Sequence, residues 1–133
     1  MMTAPLPRLH HATLTVRDPE RSADFYQRLF GPAEVVRREG PTWVRLRLLW
    51  PNGLMLGFTR HATTADADRF DPARAGLDHV GLSCGSADEV HQWAARFDEL
   101  GSERGPVEET AYAVVVTGRD PDGLPVELYW SRG

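Results

Sequence analysis

Leu9-His10-His11-Ala12-Thr13-Leu14-Thr15-Val16 and Leu77-Asp78-His79-Val80-Gly81-Leu82-Ser83-Cys84 are the two stretches that decide the fold of this 133-residue chain. They align residue for residue, 68 positions apart. A second pair follows them, Trp50-Pro51-Asn52-Gly53-Leu54 and Asp120-Pro121-Asp122-Gly123-Leu124, 70 positions apart. Two landmarks repeated in one order at nearly one offset mark a duplication, so the halves should fold alike. Both opening stretches have the two-residue period of a strand. His11, Thr13 and Thr15 share one face, opposite Ala12, Leu14 and Val16. His79, Gly81 and Ser83 face away from Val80, Leu82 and Cys84 in the same manner. The apolar face calls for a helix to pack on, which leaves the histidine face to something polar.

A helix is expected next in each half. Asp18 and Ser86 are N-cap residues 68 apart, Pro19 suits the first helical position, and Ser86 with Glu89 forms a capping box. Val90, Trp93, Phe97 and Leu100 fall on one helical stripe, as do Ser22, Phe25 and Leu29 with Tyr26 beside them. Gly31 and Gly101 stand where a left-handed C-cap belongs. Three strands should complete each half, at about 33–39, 42–50 and 53–60, then about 104–109, 111–119 and 124–130. The Pro-Asn-Gly and Pro-Asp-Gly runs turn the last two strands of each half. The expected fold is α+β: two βαβββ modules, 1–60 and 77–133, joined by a linker over 61–76.

Composition bounds the function. A charged fraction of 26% and an apolar fraction of 41% suit a globular chain of one domain. The net charge of −4 argues against a nucleic-acid binder. All 15 basic residues are arginine, so lysine chemistry, whether a Schiff base or a P-loop, is excluded. Cys84 is the only cysteine, and no run approaches the ~20 apolar residues of a membrane helix. Met1 to Arg8 contain no apolar signal segment. These features place the chain in the cytoplasm, away from membranes.

The polar faces carry the candidate chemistry. In the last strand Glu127 and Tyr129 alternate with Val126, Leu128 and Trp130, so Glu127 should point the same way as His79. Two neutral imidazoles and a carboxylate, His11, His79 and Glu127, form a ligand set that non-haem iron and zinc sites use, with positions left open. Singly, each is more often a solvated side chain. Their recurrence at matching places in the repeat favours a metal. Arg45 and Arg47 alternate with Val44, Leu46 and Leu48 and should share the polar face with Trp43. They are candidates for binding an anionic substrate, or for ordinary pairing with acidic neighbours. Thr13, Met55 and Tyr129 are further candidates for the pocket lining. His10 should point away from His11 and be structural, His91 should be exposed on the second helix, and His61 has no assignable role. Cys84 should belong to the core.

The stretches His11-Ala12-Thr13-Leu14-Thr15-Val16, Leu77-Asp78-His79-Val80 and Arg119-Asp120-Pro121-Asp122-Gly123-Leu124-Pro125-Val126-Glu127-Leu128 resemble the vicinal oxygen chelate superfamily. This is the glyoxalase, bleomycin resistance protein and extradiol dioxygenase group. The resemblance spans 9–130 and implies a cupped mixed sheet with one divalent ion (Fe, Mn, Zn or Ni) at its base. It maps the ligands onto His11, His79 and Glu127. The implied activity is that of a metal-dependent enzyme acting on a small substrate chelated through two neighbouring oxygens, of lyase, isomerase, thiol transferase or dioxygenase type. The alternative is a non-catalytic drug-binding protein of the bleomycin-resistance kind. A fourth ligand common in the family falls on Gly57, which has no side chain to offer, so the four-ligand isomerases fit less well. A three-ligand site is more like the thiol transferases and the extradiol dioxygenases, but Thr117 stands where ring-cleaving members carry a tyrosine and no histidine occurs in 92–133, so ring cleavage stays open without being favoured. Tyr129 and a metal-bound hydroxide are left as the candidates for moving the proton. A homodimer is implied, with the modules meeting either within one chain or between two.

Overall fold

A computed structural model describes residues 3–133; Met1 and Met2, where the first module's expected range begins, lie outside the described residues. The first half comprises β1 (Ala12–Thr15), α1 (Pro19–Phe30), β2 (Glu34–Gly40), β3 (Trp43–Leu49) and β4 (Met55–His61). The second comprises β5 (Val80–Ser83), α2 (Ala87–Glu99), β6 (Glu108–Glu109), β7 (Ala113–Arg119) and β8 (Pro125–Ser131). Each half closes its own four-stranded mixed sheet, ordered β1-β4-β3-β2 and β5-β8-β7-β6. The opening strand runs parallel to the last one, and the other pairs are antiparallel. This is the expected α+β fold.

The helix ends follow the local chemistry. Asp18 Oδ1 accepts the backbone N–H groups of Glu20 and Arg21. Ser86 Oγ accepts that of Glu89, while the Glu89 carboxylate reaches one residue further back than an ordinary capping box, to the Gly85 N–H at 2.6 Å. Gly101, at φ 66, lets Ser102 N–H bond back to Phe97 O, closing α2.

Two strand expectations change. The opening strands have four residues instead of eight, because each is an edge strand whose ladder begins only after its histidine. The stretch expected as a strand at 104–109 keeps only Glu108–Glu109, with an isolated bridge from Arg104 to Gly118. Pro106 stands between them and has no N–H to give a ladder.

Each helix lies on its own sheet, α1 on β3 and β4, α2 on β7 and β8. The two cores merge: Leu14, Tyr26, Leu29, Leu48 and Phe58 belong to one cluster with Val90, Phe97, Val116 and Leu128. Tyr26 stacks on Phe58 at 5.0 Å, and Phe30 meets Trp93 edge-on at 5.3 Å across the halves. The repeat trades volume between its copies. Leu29 and Leu48 in the first half correspond to Phe97 and Gly118 in the second. A Cβ at Gly118 would lie 2.3 Å from the Phe97 ring, so the larger aromatic occupies what the leucine left.

The halves are also tied by polar groups from the turn between β7 and β8. The Arg17 backbone N–H and Nε–H both donate to Asp122 Oδ1 at 3.0 Å, and Arg17 Nη2 donates to Pro121 O at 2.7 Å. Ser22 Oγ donates to Asp122 Oδ2 at 3.4 Å, and Tyr26 Oη to Asp120 Oδ2 at 2.8 Å. Asp120 and Asp122 are both buried. Among the described residues, no helix is long and apolar enough to cross a membrane.

Candidate functional site

Strand register sets the polar faces. In the parallel pair β5–β8, Gly81 stands beside Glu127, and His79, just before the ladder, turns its ring to that same face. The His79 Nε2 to Glu127 Oε2 separation is 3.4 Å. His79 Nδ1 lies 2.7 Å from Asp78 Oδ1. A carboxylate there calls for a proton on Nδ1, which fixes the tautomer and turns Nε2 toward Glu127.

The first half repeats this arrangement with another partner. His11 Nδ1 lies 2.8 Å from His10 Nδ1, the two rings edge to face. One Nδ1 must carry the hydrogen and the other accept it, so the contact directs His11 through Nδ1 and frees its Nε2. Here the expectation for His10 is corrected. Its ring lies against His11 instead of pointing away, because residues before Ala12 are outside the ladder and strand alternation does not govern them. Each histidine is thus braced by the residue before it, His10 in one half and Asp78 in the other. Neither brace was recognised from the sequence, although each occupies the same place in the repeat.

A single chain does not bring the whole triad together. His79 and Glu127 meet, but among the described residues no three His, Cys, Asp or Glu side chains are gathered where one metal ion could join them. His11 is exposed and is not gathered with the other two. His91 is exposed on α2, with Nε2 3.4 Å from Glu109 Oε1, and His61 ends β4 beside Trp43. Cys84 is buried, as expected.

The remaining pocket candidates lie where alternation puts them. Along the first sheet one row reads Arg47–Gly57–Thr13 and the next Arg45–Thr59–Thr15. Along the second sheet the equivalent rows read Thr117–Glu127–Gly81 and Val115–Tyr129–Ser83. Gly57 therefore occupies the position of Glu127, as the repeat implied. A Cβ on Gly57 would lie 2.9 Å from Thr13 Oγ1, so the Thr13 side chain covers the bare strand. Arg45 Nε donates to Thr59 Oγ1 at 2.7 Å, and its guanidinium lies 4.8 Å over the Trp43 ring. Arg47 Nη2 is 3.2 Å from Met55 Sδ. Tyr129 is half-buried on the face of Glu127.

The hydrogen bond to Asp78 raises the His79 pKa above the ordinary imidazole value; burial opposes the shift, and the Glu127 charge adds to it. An imidazole must be neutral to bind a metal, so protons compete at higher pH here than at an unperturbed ring. Sign for stability follows the same direction. The raised folded-state pKa stabilises the fold at pH values below the unfolded-state pKa, and that gain fades as pH rises through the folded-state one. NMR titration of the metal-free protein should show His79 titrating above the usual range. Asp78→Asn should move it downward. An unchanged midpoint in that variant would remove the brace from the account.

The chain belongs to the Glyoxalase/Bleomycin resistance protein/Dioxygenase superfamily, whose family model matches residues 8–128. Its fold is similar to that of a glyoxylase/bleomycin resistance protein/dioxygenase domain from Frankia sp. EAN1pec. That structure is 29% identical with a TM-score of 0.89, covering 96% of this chain and 100% of that one. A glyoxalase family protein from Enterococcus faecalis is 24% identical with a TM-score of 0.70, covering 92% of this chain and 96% of that one. A mutant of the fosfomycin resistance protein FosX from Listeria monocytogenes shares the fold at 22% identity and a TM-score of 0.68. The match covers 97% of this chain and 90% of that one; the mutant was solved with Mn(II) and 1S,2S-dihydroxypropylphosphonic acid. No curated protein matches the sequence.

Proposed function

We propose that the chain is a metal-dependent enzyme working as a homodimer in the cytoplasm. His79 and Glu127 of one copy, with His11 of a second copy, would hold one divalent ion of Fe, Mn, Zn or Ni. The observation that carries this reading is the paired bracing of His11 and His79 through Nδ1, which leaves two Nε2 atoms free, one of them 3.4 Å from a carboxylate oxygen. Two imidazole nitrogens and one carboxylate suit such an ion. The cup needs a second copy because His11 stands apart from its partners within one chain.

A bound ion would act as a Lewis acid, polarising a substrate chelated through two neighbouring oxygens. The chain's own groups supply the rest. Asp78 and His10 hold the imidazole planes, and the Thr13 hydroxyl offers a hydrogen bond at the bare position over Gly57. Tyr129, on the face of Glu127, is the side-chain candidate to hold or pass a proton. With Thr117 beside Glu127, no histidine after His91 and Gly57 where a fourth ligand would stand, thiol-transfer chemistry fits better than ring cleavage or four-ligand isomerisation.

Purified without added ions, the wild type should carry about one divalent metal per chain by elemental analysis. His79→Ala and Glu127→Ala should carry almost none while keeping their fold. A folded wild type that stays empty after dialysis against Mn, Fe, Ni and Zn salts would overturn the enzyme reading in favour of a metal-free binding protein.

A further inference from the structure

The first sheet's polar face carries charge that no carboxylate among the described residues neutralises. Arg17, Arg28, Arg37, Arg60, Arg96 and Arg104 each pair with a carboxylate. Arg45 and Arg47 are half-buried, and neither has a carboxylate within ion-pair distance among the described residues. Arg38, the cross-strand neighbour of Arg45, is likewise without one. Like charges opposite one another across strands are unfavourable. A half-buried guanidinium also keeps less of its hydration than an exposed one.

These side chains are held in place rather than loose. Thr59 takes the Nε–H of Arg45 and Trp43 supports the guanidinium plane, which leaves both terminal nitrogens free. Arg47 has Met55 Sδ on one terminal nitrogen and keeps its other donors. Planar guanidinium forks match the paired oxygens of a carboxylate or phosphate group. In its row Arg47 is separated from Thr13 only by Gly57, over which the Thr13 side chain lies, while Thr59 stands between Arg45 and Thr15. One strand spacing there is roughly 4.8 Å.

We infer that Arg45 and Arg47 form a subsite for an oxyanion carried by the substrate, a carboxylate or a phosphonate-like group. The inference deepens the proposed function and rests on the cup being a small-molecule site. The substrate class that follows is a short molecule with two neighbouring oxygens at one end and an anionic group at the other.

The test uses metal-free wild-type protein at low ionic strength, titrated calorimetrically with inorganic phosphate and, separately, with malonate. Saturable binding of at least one anion is expected, and which anion binds distinguishes a phosphonate-like group from a carboxylate. Arg45→Ala and Arg47→Ala should each weaken binding by about tenfold or more, as loss of a charged hydrogen bond does. Arg28→Ala, on an exposed helix face, should leave it unchanged. Should an alanine variant lose its fold, Arg45→Lys and Arg47→Lys carry the test, keeping the charge without the fork and weakening binding to a smaller degree. No saturable binding of either anion, or wild-type affinity in the paired arginine variants, overturns the inference. Because the metal is absent throughout, the result is independent of whether the wild type holds an ion.

Discussion

When a His11→Ala chain is unfolded and refolded with an equal amount of a Glu127→Ala chain, the mixture is expected to recover about a quarter of the wild-type metal content. Each variant alone should hold almost none. Random pairing makes half of the dimers mixed, and a mixed dimer has one cup with both defects and one with neither. One intact cup in two, in half of the molecules, is the expected quarter. If all three ligands came from one chain, mixing would restore nothing, because every chain would still lack one of them. If the His11→Ala homodimer were fully loaded, His11 would not be a ligand and the shared cup would be abandoned. Elemental analysis after gel filtration reads all three outcomes.

Asp122→Ala should lower the unfolding free energy by about 3 kcal/mol, the scale for removing one partner from a buried ion pair. The side chains of Arg17 and Asp122 are only 15% and 10% exposed, so solvent screening relieves little of the loss. The substitution strips Arg17 of two hydrogen bonds and Ser22 of its one, and it does so where the halves of the molecule are tied. For a chain of this length the melting temperature should fall by roughly 10 °C. Asp122→Asn keeps an acceptor oxygen and should lose less. A melting curve for Asp122→Ala within a degree or two of the wild type would show that the turn does not hold the halves.

Asp120, in the same turn, behaves differently toward acid. Burial raises its pKa, against the lowering effect of the bonds it accepts from Leu124, Tyr26 and Asp122. A carboxyl group whose folded-state pKa lies above its unfolded value takes up its proton first in the folded state. Its contribution therefore favours the fold increasingly as pH falls through that folded-state value. Acid loss of stability must come from other groups.

Much of the fold could be read along the chain because the relevant signals are local. Alternation in residues 9–16 and 77–84, the caps at Asp18 and Ser86, and the turns before Gly53 and Gly123 all act over a few neighbours. The same alternation put Arg45, Arg47 and Trp43 on one face, as the register has them, and Glu127 on the side of His79, where the two side chains approach to 3.4 Å. It failed at His10, where no ladder constrains the backbone, and after Pro106, where a missing donor interrupts the strand.

The acidic turn shows why the rest was hidden. As sequence, Asp120-Pro121-Asp122-Gly123 reads as a tight turn, and nothing nearby says that both carboxylates are buried. Their partners Arg17, Ser22 and Tyr26 lie about a hundred residues earlier, and only the docking of the halves brings them together. The candidate site divides along the same line. Which side chains share a face follows from the two-residue period of a strand, a property of the backbone itself, so the residues of the repeat determined it unaided. Which faces meet, and that His11 stands apart from His79 and Glu127 within one chain, depends on how whole sheets pack. Tertiary structure alone decided that, because packing is a long-range balance of buried surfaces that leaves no periodic trace in the chain.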